Sequence, residues 1–159
     1  MTQREGGDPT PLPVGWKEYV GLPDWGVRRI KAKIDTGART SVLDAARCEL
    51  RRVEGGLLVA VLSLVPSSRH PERRVTVEVP VLRMLQVRNS GGGCEERPLI
   101  ETTLQLGPVR KRILLTVTRR ASMCFRMLLG RKALEGDFVV DVSRKYLHRR
   151  GEGRGTRGE

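Results

Sequence analysis

The chain has 159 residues, a formal charge of +12, 38% hydrophobic residues and 4% aromatic residues. That length suits one domain with a modest core built from Val, Leu and Ile. No apolar run approaches membrane-spanning length, and the polar N-terminus lacks the apolar core of a signal peptide, so a cytoplasmic protein that does not enter a membrane is expected. Residues 1–14, with Gly, Pro and charge, read as a disordered N-terminal segment ahead of a domain spanning 15–148. Lys17 to Gly21 and Val27 to Ile34 read as strands about a turn at Pro23-Asp24. Cys48 to Val53 and Leu57 to Val65 read as a strand pair about Glu54-Gly55-Gly56, and Val75 to Val79 alternates as another strand after the polar loop 66–73. Met84 to Arg88 and Cys94 to Leu106 flank Asn89-Ser90-Gly91-Gly92-Gly93, a strong hairpin signal. Leu106-Gly107-Pro108 turns the chain into Lys111 to Thr118. Met127 to Leu129 and Phe138 to Asp141 bracket a short helix, Lys132 to Glu135, stopped by Gly136. Frequent glycine and proline with no long helical periodicity point to short strands and turns.

The chemistry concentrates at Asp35-Thr36-Gly37-Ala38. The alternating segment Ile30-Lys31-Ala32-Lys33-Ile34 delivers this carboxylate into a glycine-containing turn. An aspartate so placed can activate water for peptide hydrolysis, but two carboxylates must share one proton so that one accepts while the other donates. The chain has no second Asp-Thr-Gly, which points to the same residue of a second copy. The triplet is also ordinary turn chemistry. A second segment, Met127-Leu128-Leu129-Gly130-Arg131, adds an apolar run closed by glycine and arginine.

This ordered pair of motifs resembles the retropepsin class of aspartic proteases, and more closely a bacterial retropepsin-like family often labelled "ATP-dependent zinc protease" and associated with RimK-type glutamate ligases. The shared stretches are Gly15 to Glu18, Ile30 to Ser41, Glu96 to Thr102, Leu104 to Gly107, Leu115 to Arg119 and Met127 to Leu134, with Phe138 to Asp141 following. One position departs: the family usually continues Thr-Ser-Ala-Leu-His where this chain has Thr40-Ser41-Val42-Leu43-Asp44.

The resemblance implies an all-β fold, a closed or partly open acid-protease β-barrel with one short C-terminal helix, working as a homodimer. Asp35 would be the catalytic residue, supported by Thr36, Gly37 and Ala38. Arg39, Thr40, Leu129 and Gly130 would line the substrate site, and Arg131 would hold the loop as structural support. The hairpin tip Asn89, Ser90, Gly91, Gly92 and Gly93 would be a flap over substrate, or simply a tight turn. Arg39 stands where better-known viral relatives carry an aspartate. A cation there favours acidic or glutamate-extended peptides, in keeping with a functional link to an ATP-grasp glutamate ligase.

No metal and no cofactor is expected. The two histidines, His70 and His148, have no partner at ligand spacing, and no Walker-type glycine loop is present. The three cysteines, Cys48, Cys94 and Cys124, are far apart and odd in number, which suits free thiols in a reducing compartment. The tail 149–159, rich in Arg and Gly, reads either as a solubilising end or as a tether to nucleic acid or ribosome. Two further functions compete with the peptidase: a non-catalytic dimeric binder of acidic peptides, and a basic nucleic-acid-binding protein, which the scarcity of aromatics disfavours as a stacking platform.

Overall fold

The computed structural model describes residues 2–4, 10–88, 91–119 and 125–148. The chain is nearly all β. In order come β1 (Gln3–Arg4), β2 (Leu12–Val14), β3 (Lys17–Leu22), β4 (Val27–Ile34), β5 (Ser41–Asp44), β6 (Arg47–Arg52), β7 (Leu58–Leu64), β8 (Val75–Pro80), β9 (Arg83–Arg88), β10 (Cys94–Leu106), β11 (Val109–Thr118), β12 (Met127–Leu129), the helix α1 (Arg131–Leu134) and β13 (Phe138–Val140).

The main sheet runs β1-β11-β5-β12-β4-β3-β10-β9, and β10 also pairs with β11. The pairings therefore return on themselves. The seam between β10 and β3 is a single pair, Gln105 opposite Gly21, so the curled sheet is pinched shut rather than zipped along its length. The length of β10 permits this: its first half pairs with β9, from Cys94 opposite Arg88 to Leu99 opposite Arg83, and its second half with β11. Strands β6, β7 and β8 form a separate three-stranded sheet.

Alternation decides which faces turn inward. Along β4, Val27, Ile30, Ala32 and Ile34 are buried while Arg28, Arg29, Lys31 and Lys33 are exposed. Along β11, Val109, Ile113 and Leu115 face inward. The buried core is almost entirely aliphatic, with Leu22, Leu43, Leu62, Leu64, Ile100, Leu104, Leu106, Leu115, Met127 and Leu129 its largest fully hidden apolar side chains and Phe138 its one buried aromatic ring among the described residues. Each such Leu or Ile contributes about 1.5–3 kcal/mol on burial.

The N-terminal segment departs from expectation. Residues 1–14 read as disordered, yet Leu12–Val14 is a strand lying parallel to β13, with Phe138 opposite Leu12 and Val140 opposite Val14. Val14 is fully buried, and the Asp141 N–H donates to its carbonyl. Gln3 and Arg4 add to the edge of β11 opposite Arg110 and Val109. The reason is that free strand edges at β13 and β11 supply ladder partners that a polar, proline-bearing segment cannot make for itself.

Glu18 ties Gly15 and residues 147–148 to β3. It lies on β3 with no solvent exposure. Its Oε2 accepts from the backbone N–H of Gly15 (2.7 Å) and of Leu147 (3.0 Å), and its Oε1 from that of His148 (3.0 Å). The Trp16 N–H donates to Arg144 and the Tyr146 N–H to Lys17, so residues 144–148 strap along β3. Glu18→Gln, which turns an NH2 group toward one of these donors, is expected to destabilise the fold by about 3 kcal/mol, the scale of charge-assisted bonds to a buried carboxylate. Urea unfolding measures it, and an unchanged midpoint would remove Glu18 as the clamp.

Candidate active site

Strand β4 ends at Ile34, and Asp35 follows as the chain leaves the sheet. Strand β12 lies between β4 and β5, parallel to β4 with Leu129 opposite Ile34 and antiparallel to β5 with Leu128 opposite Val42. This insertion brings the two sequence motifs together. The Asp35 N–H donates to the Leu129 carbonyl at 2.8 Å.

Several main-chain groups of the loop are then engaged. The Ala38 N–H donates to the Asp35 carbonyl (3.2 Å), and the Arg131 guanidinium donates to the Thr36 carbonyl (2.9 Å). The first N–H groups of α1, which have no partner within a helix, are used on the same loop. Arg131 N–H donates to the Ala38 carbonyl (2.8 Å) and Lys132 N–H to the Arg39 carbonyl (3.1 Å). The Gly130 N–H donates to the Ser41 hydroxyl at 3.0 Å, and Ser41 is buried. Gly130 packs so tightly that a Cβ there would lie 2.9 Å from the carbonyl oxygens of Ala38 and Arg39 and from the carbonyl carbon of Thr40.

Asp35 itself is half-buried, and its Oδ1 accepts from the Gly37 N–H at 3.0 Å. Among the described residues, Oδ2 has no hydrogen-bond partner within the chain. Thr36, Gly37 and Arg39 are exposed, and Ala38 and Thr40 are half-buried. A braced loop thus presents one carboxylate and a threonine hydroxyl outward.

The structure brings Asp35, Thr36, Gly37, Ala38, Arg39, Thr40, Leu129, Gly130 and Arg131 into one contiguous unit. The hairpin β9–β10 forms, with Cys94 opposite Arg88, and Gly92 adopts a φ of +89° between the two strands, where glycine has no Cβ to clash. Asn89 and Ser90 lie outside the described residues, as do Cys124 and the tail 149–159. Sequence reasoning missed Ser41, whose hydroxyl receives the Gly130 N–H, and Lys132, whose backbone braces Arg39. A small hydroxyl residue opening β5 directly after the loop was the available signal for the first. Nothing local signalled the second.

Among the described residues, the other aspartates are occupied. Asp44, at the position where the resembled family usually has His, is buried on β5 and pairs with Arg126 at 3.3 Å. The carboxylate of Asp141 accepts from the Ser143 hydroxyl and N–H, which hold it below the ordinary aspartate range. Among the described residues, no three His, Cys, Asp or Glu side chains converge. His70 sits beside Glu72 on an exposed loop, and His148 contacts the Pro13 carbonyl through Nε2. No helix among the described residues is long and apolar enough to cross a membrane.

A curled all-β domain whose Asp-Thr-Gly loop is cradled by a Leu-Gly-Arg strand-to-helix junction defines the retropepsin-like class. The family model described as "Retropepsin-like aspartic endopeptidase RimB" matches residues 13–151, and the chain belongs to this RimB-like family. Relatives include proteins named "Probable alpha-L-glutamate ligase" from Shewanella halifaxensis, 35% identical over 133 residues, and from Parasynechococcus marenigrum, 36% identical over 143 residues. The matches cover 84% and 80% of this chain but only 29% and 27% of those relatives, so the chain corresponds to a part of each. The crystal structure of a protein Lpg0085 of unknown function from Legionella pneumophila has the same fold, with a TM-score of 0.72 at 21% identity over 87% of this chain and 99% of that one.

Proposed function

We propose that this protein is an aspartic endopeptidase whose catalytic pair is Asp35 and Asp35 of the partner subunit, acting on acidic or glutamate-extended peptides. The observation that carries the reading is the loop itself: its main chain is held by Leu129, Arg131 and Lys132, while Thr36 is exposed and, among the described residues, Asp35 Oδ2 has no hydrogen-bond partner. A single carboxylate cannot be base and acid at once. Across a two-fold axis the two would share one proton. The charged member takes a proton from a water held between them, and the protonated member donates to the scissile carbonyl oxygen as the tetrahedral intermediate forms. The Thr36 hydroxyl reaches to the neighbouring loop, and the β9–β10 hairpin closes over the substrate and excludes water. Membership of an aspartic endopeptidase family supports the chemistry. The glutamate-ligase names of relatives that contain a matching segment support the acidic substrate and a functional link to an ATP-grasp glutamate ligase.

The test is incubation with a panel of glutamate-extended and neutral peptides, with fragments read by mass. Activity per chain is expected to fall on dilution through the dimer dissociation constant, because each chain supplies half of the pair. A sedimenting monomer with full activity would rule out the shared site. Arg39 is exposed, with its carbonyl fixed by Lys132, and selects acidic side chains in this reading. Arg39→Ala is expected to lower cleavage of glutamate-rich peptides by about 10-fold more than that of neutral ones. Equal losses on both would place Arg39 in the scaffold.

A further inference from the structure

The outer face of β3 and β4 carries an unusual set of side chains. Cross-strand pairing sets Lys17 opposite Lys33 and Tyr19 opposite Lys31, so these four share one face, and Arg29 continues it along β4. Strand β4 contains four cations and no acidic residue. Among the described residues, none of Lys17, Arg29, Lys31 and Lys33 has a carboxylate partner. Elsewhere the exposed cations often do: Arg112 pairs with Asp24 and Glu101, Arg51 with Glu49 and Glu78, and Lys132 with Glu135.

Aromatic rings hold two of these cations in place. The Arg29 guanidinium lies 4.0 Å from the centroid of Tyr19, and Tyr19 stacks on Tyr146 with centroids 4.5 Å apart and planes 16° from parallel. The Lys17 ammonium sits 4.6 Å from the Trp16 ring, 5.2 Å from Tyr146 and 5.9 Å from Phe125. Cation–π contacts of this kind restrain the charge without neutralising it. The positive field reaches Tyr19: burial alone would raise its phenol, yet the hydrogen bond from Arg29 and the charges of Lys31 and Arg29 hold it below the ordinary tyrosine value.

We infer that this face is a binding track for an extended acidic polypeptide that leads into Asp35. It rests on the peptidase reading only for that direction. Arg29, Lys31 and Lys33 recur at every second residue, roughly 6.6 Å apart, the repeat at which an extended peptide presents side chains to one side. The row ends at Lys33, two residues before Asp35. The rings argue against single-stranded nucleic acid. A stacking platform needs an open ring face, but Tyr19 is covered by Arg29 and Tyr146, and Trp16 carries Lys17.

The test uses full-length Asp35→Asn protein, so that binding is read without cleavage. The probes are a fluorescent peptide of about ten glutamates, long enough to run the length of β4, and an oligouridylate of similar length. Lys31→Glu/Lys33→Glu is expected to weaken peptide binding by roughly 10-fold or more, whereas Arg69→Glu/Arg73→Glu, the same charge change on the exposed loop before β8, stays within about 2-fold. Equal losses in the two double variants would mean that net charge alone attracts the peptide and would overturn the track. So would tighter binding of the oligouridylate, or no binding of the peptide by the parent protein. Circular dichroism of each variant confirms that it is folded. Binding that depends on Lys31 and Lys33 in a wild-type protein that hydrolyses no peptide would support the track and count against the peptidase reading alone.

Discussion

Asp35→Asn is expected to lower peptide hydrolysis by at least about 100-fold, the usual scale of a lost acid–base group, while leaving the fold intact. The structural half of this expectation follows from the contacts of the residue. Its N–H donates to Leu129 and its carbonyl accepts from Ala38, and neither bond involves the side chain. The Gly37 N–H bonds Oδ1, an acceptor that the asparagine amide oxygen can replace. What disappears is the ability to hold or release a proton at the outward oxygen. Comparing kcat/KM with the urea midpoint separates the two effects. A variant that cuts as well as wild type would end the aspartic-peptidase reading. A variant that unfolds would instead show that the charge holds the loop together.

Gly130→Ala is expected to damage both stability and activity. The backbone at Gly130 has a φ of −89°, which any residue adopts, so the penalty is steric rather than conformational. A methyl group there would meet three main-chain atoms at 2.9 Å, all in the segment 38–40. Backbone cannot swing aside as a side-chain tip can, so the loop must move as a body. The bonds from Arg131 to Ala38 and from Lys132 to Arg39 lie in that segment, the bond from Gly130 to Ser41 adjoins it, and all three would lengthen together. A loss of about 1–3 kcal/mol in folding free energy is the scale for overpacking. Displacing Asp35 by about 1 Å is enough to cost about 100-fold in rate. Urea unfolding and peptide hydrolysis, measured on the same preparation, check this. Unaltered values in both would mean that the junction has slack and that its glycine is dispensable.

Much of the site was legible because its signals are local. The alternation of β4, the turn-forming Asp-Thr-Gly and the apolar run closed by Gly130 and Arg131 each lie within a few residues, and the resemblance joined them in advance of any geometry. Hairpin β9–β10 and the turn at Gly107, where φ is +58°, were likewise announced by glycines placed where backbone needs them. The short helix formed at Arg131–Leu134, one residue earlier than its expected start, because the freed N–H groups of its first turn find the loop carbonyls of Ala38 and Arg39.

By itself, then, the sequence determined the strand-rich class, the aliphatic core and the place of the Asp-Thr-Gly turn at the end of a strand, because periodicity and turn chemistry are properties of neighbouring residues. Tertiary structure alone decided which short segments became strands and which charges went inside. Leu12–Val14 carries no strand pattern of its own; it pairs only because Phe138–Val140 offers an edge. Glu18 reads as a surface carboxylate from its type. It is buried because the N–H groups of Leu147 and His148, 129 and 130 positions further along the chain, converge on it. Lys111 is buried on β11 for a similar reason, its ammonium 2.7 Å from Asp137. A buried charge is tolerated only where partners meet it, and partners that distant in sequence exist for it only once the chain has folded.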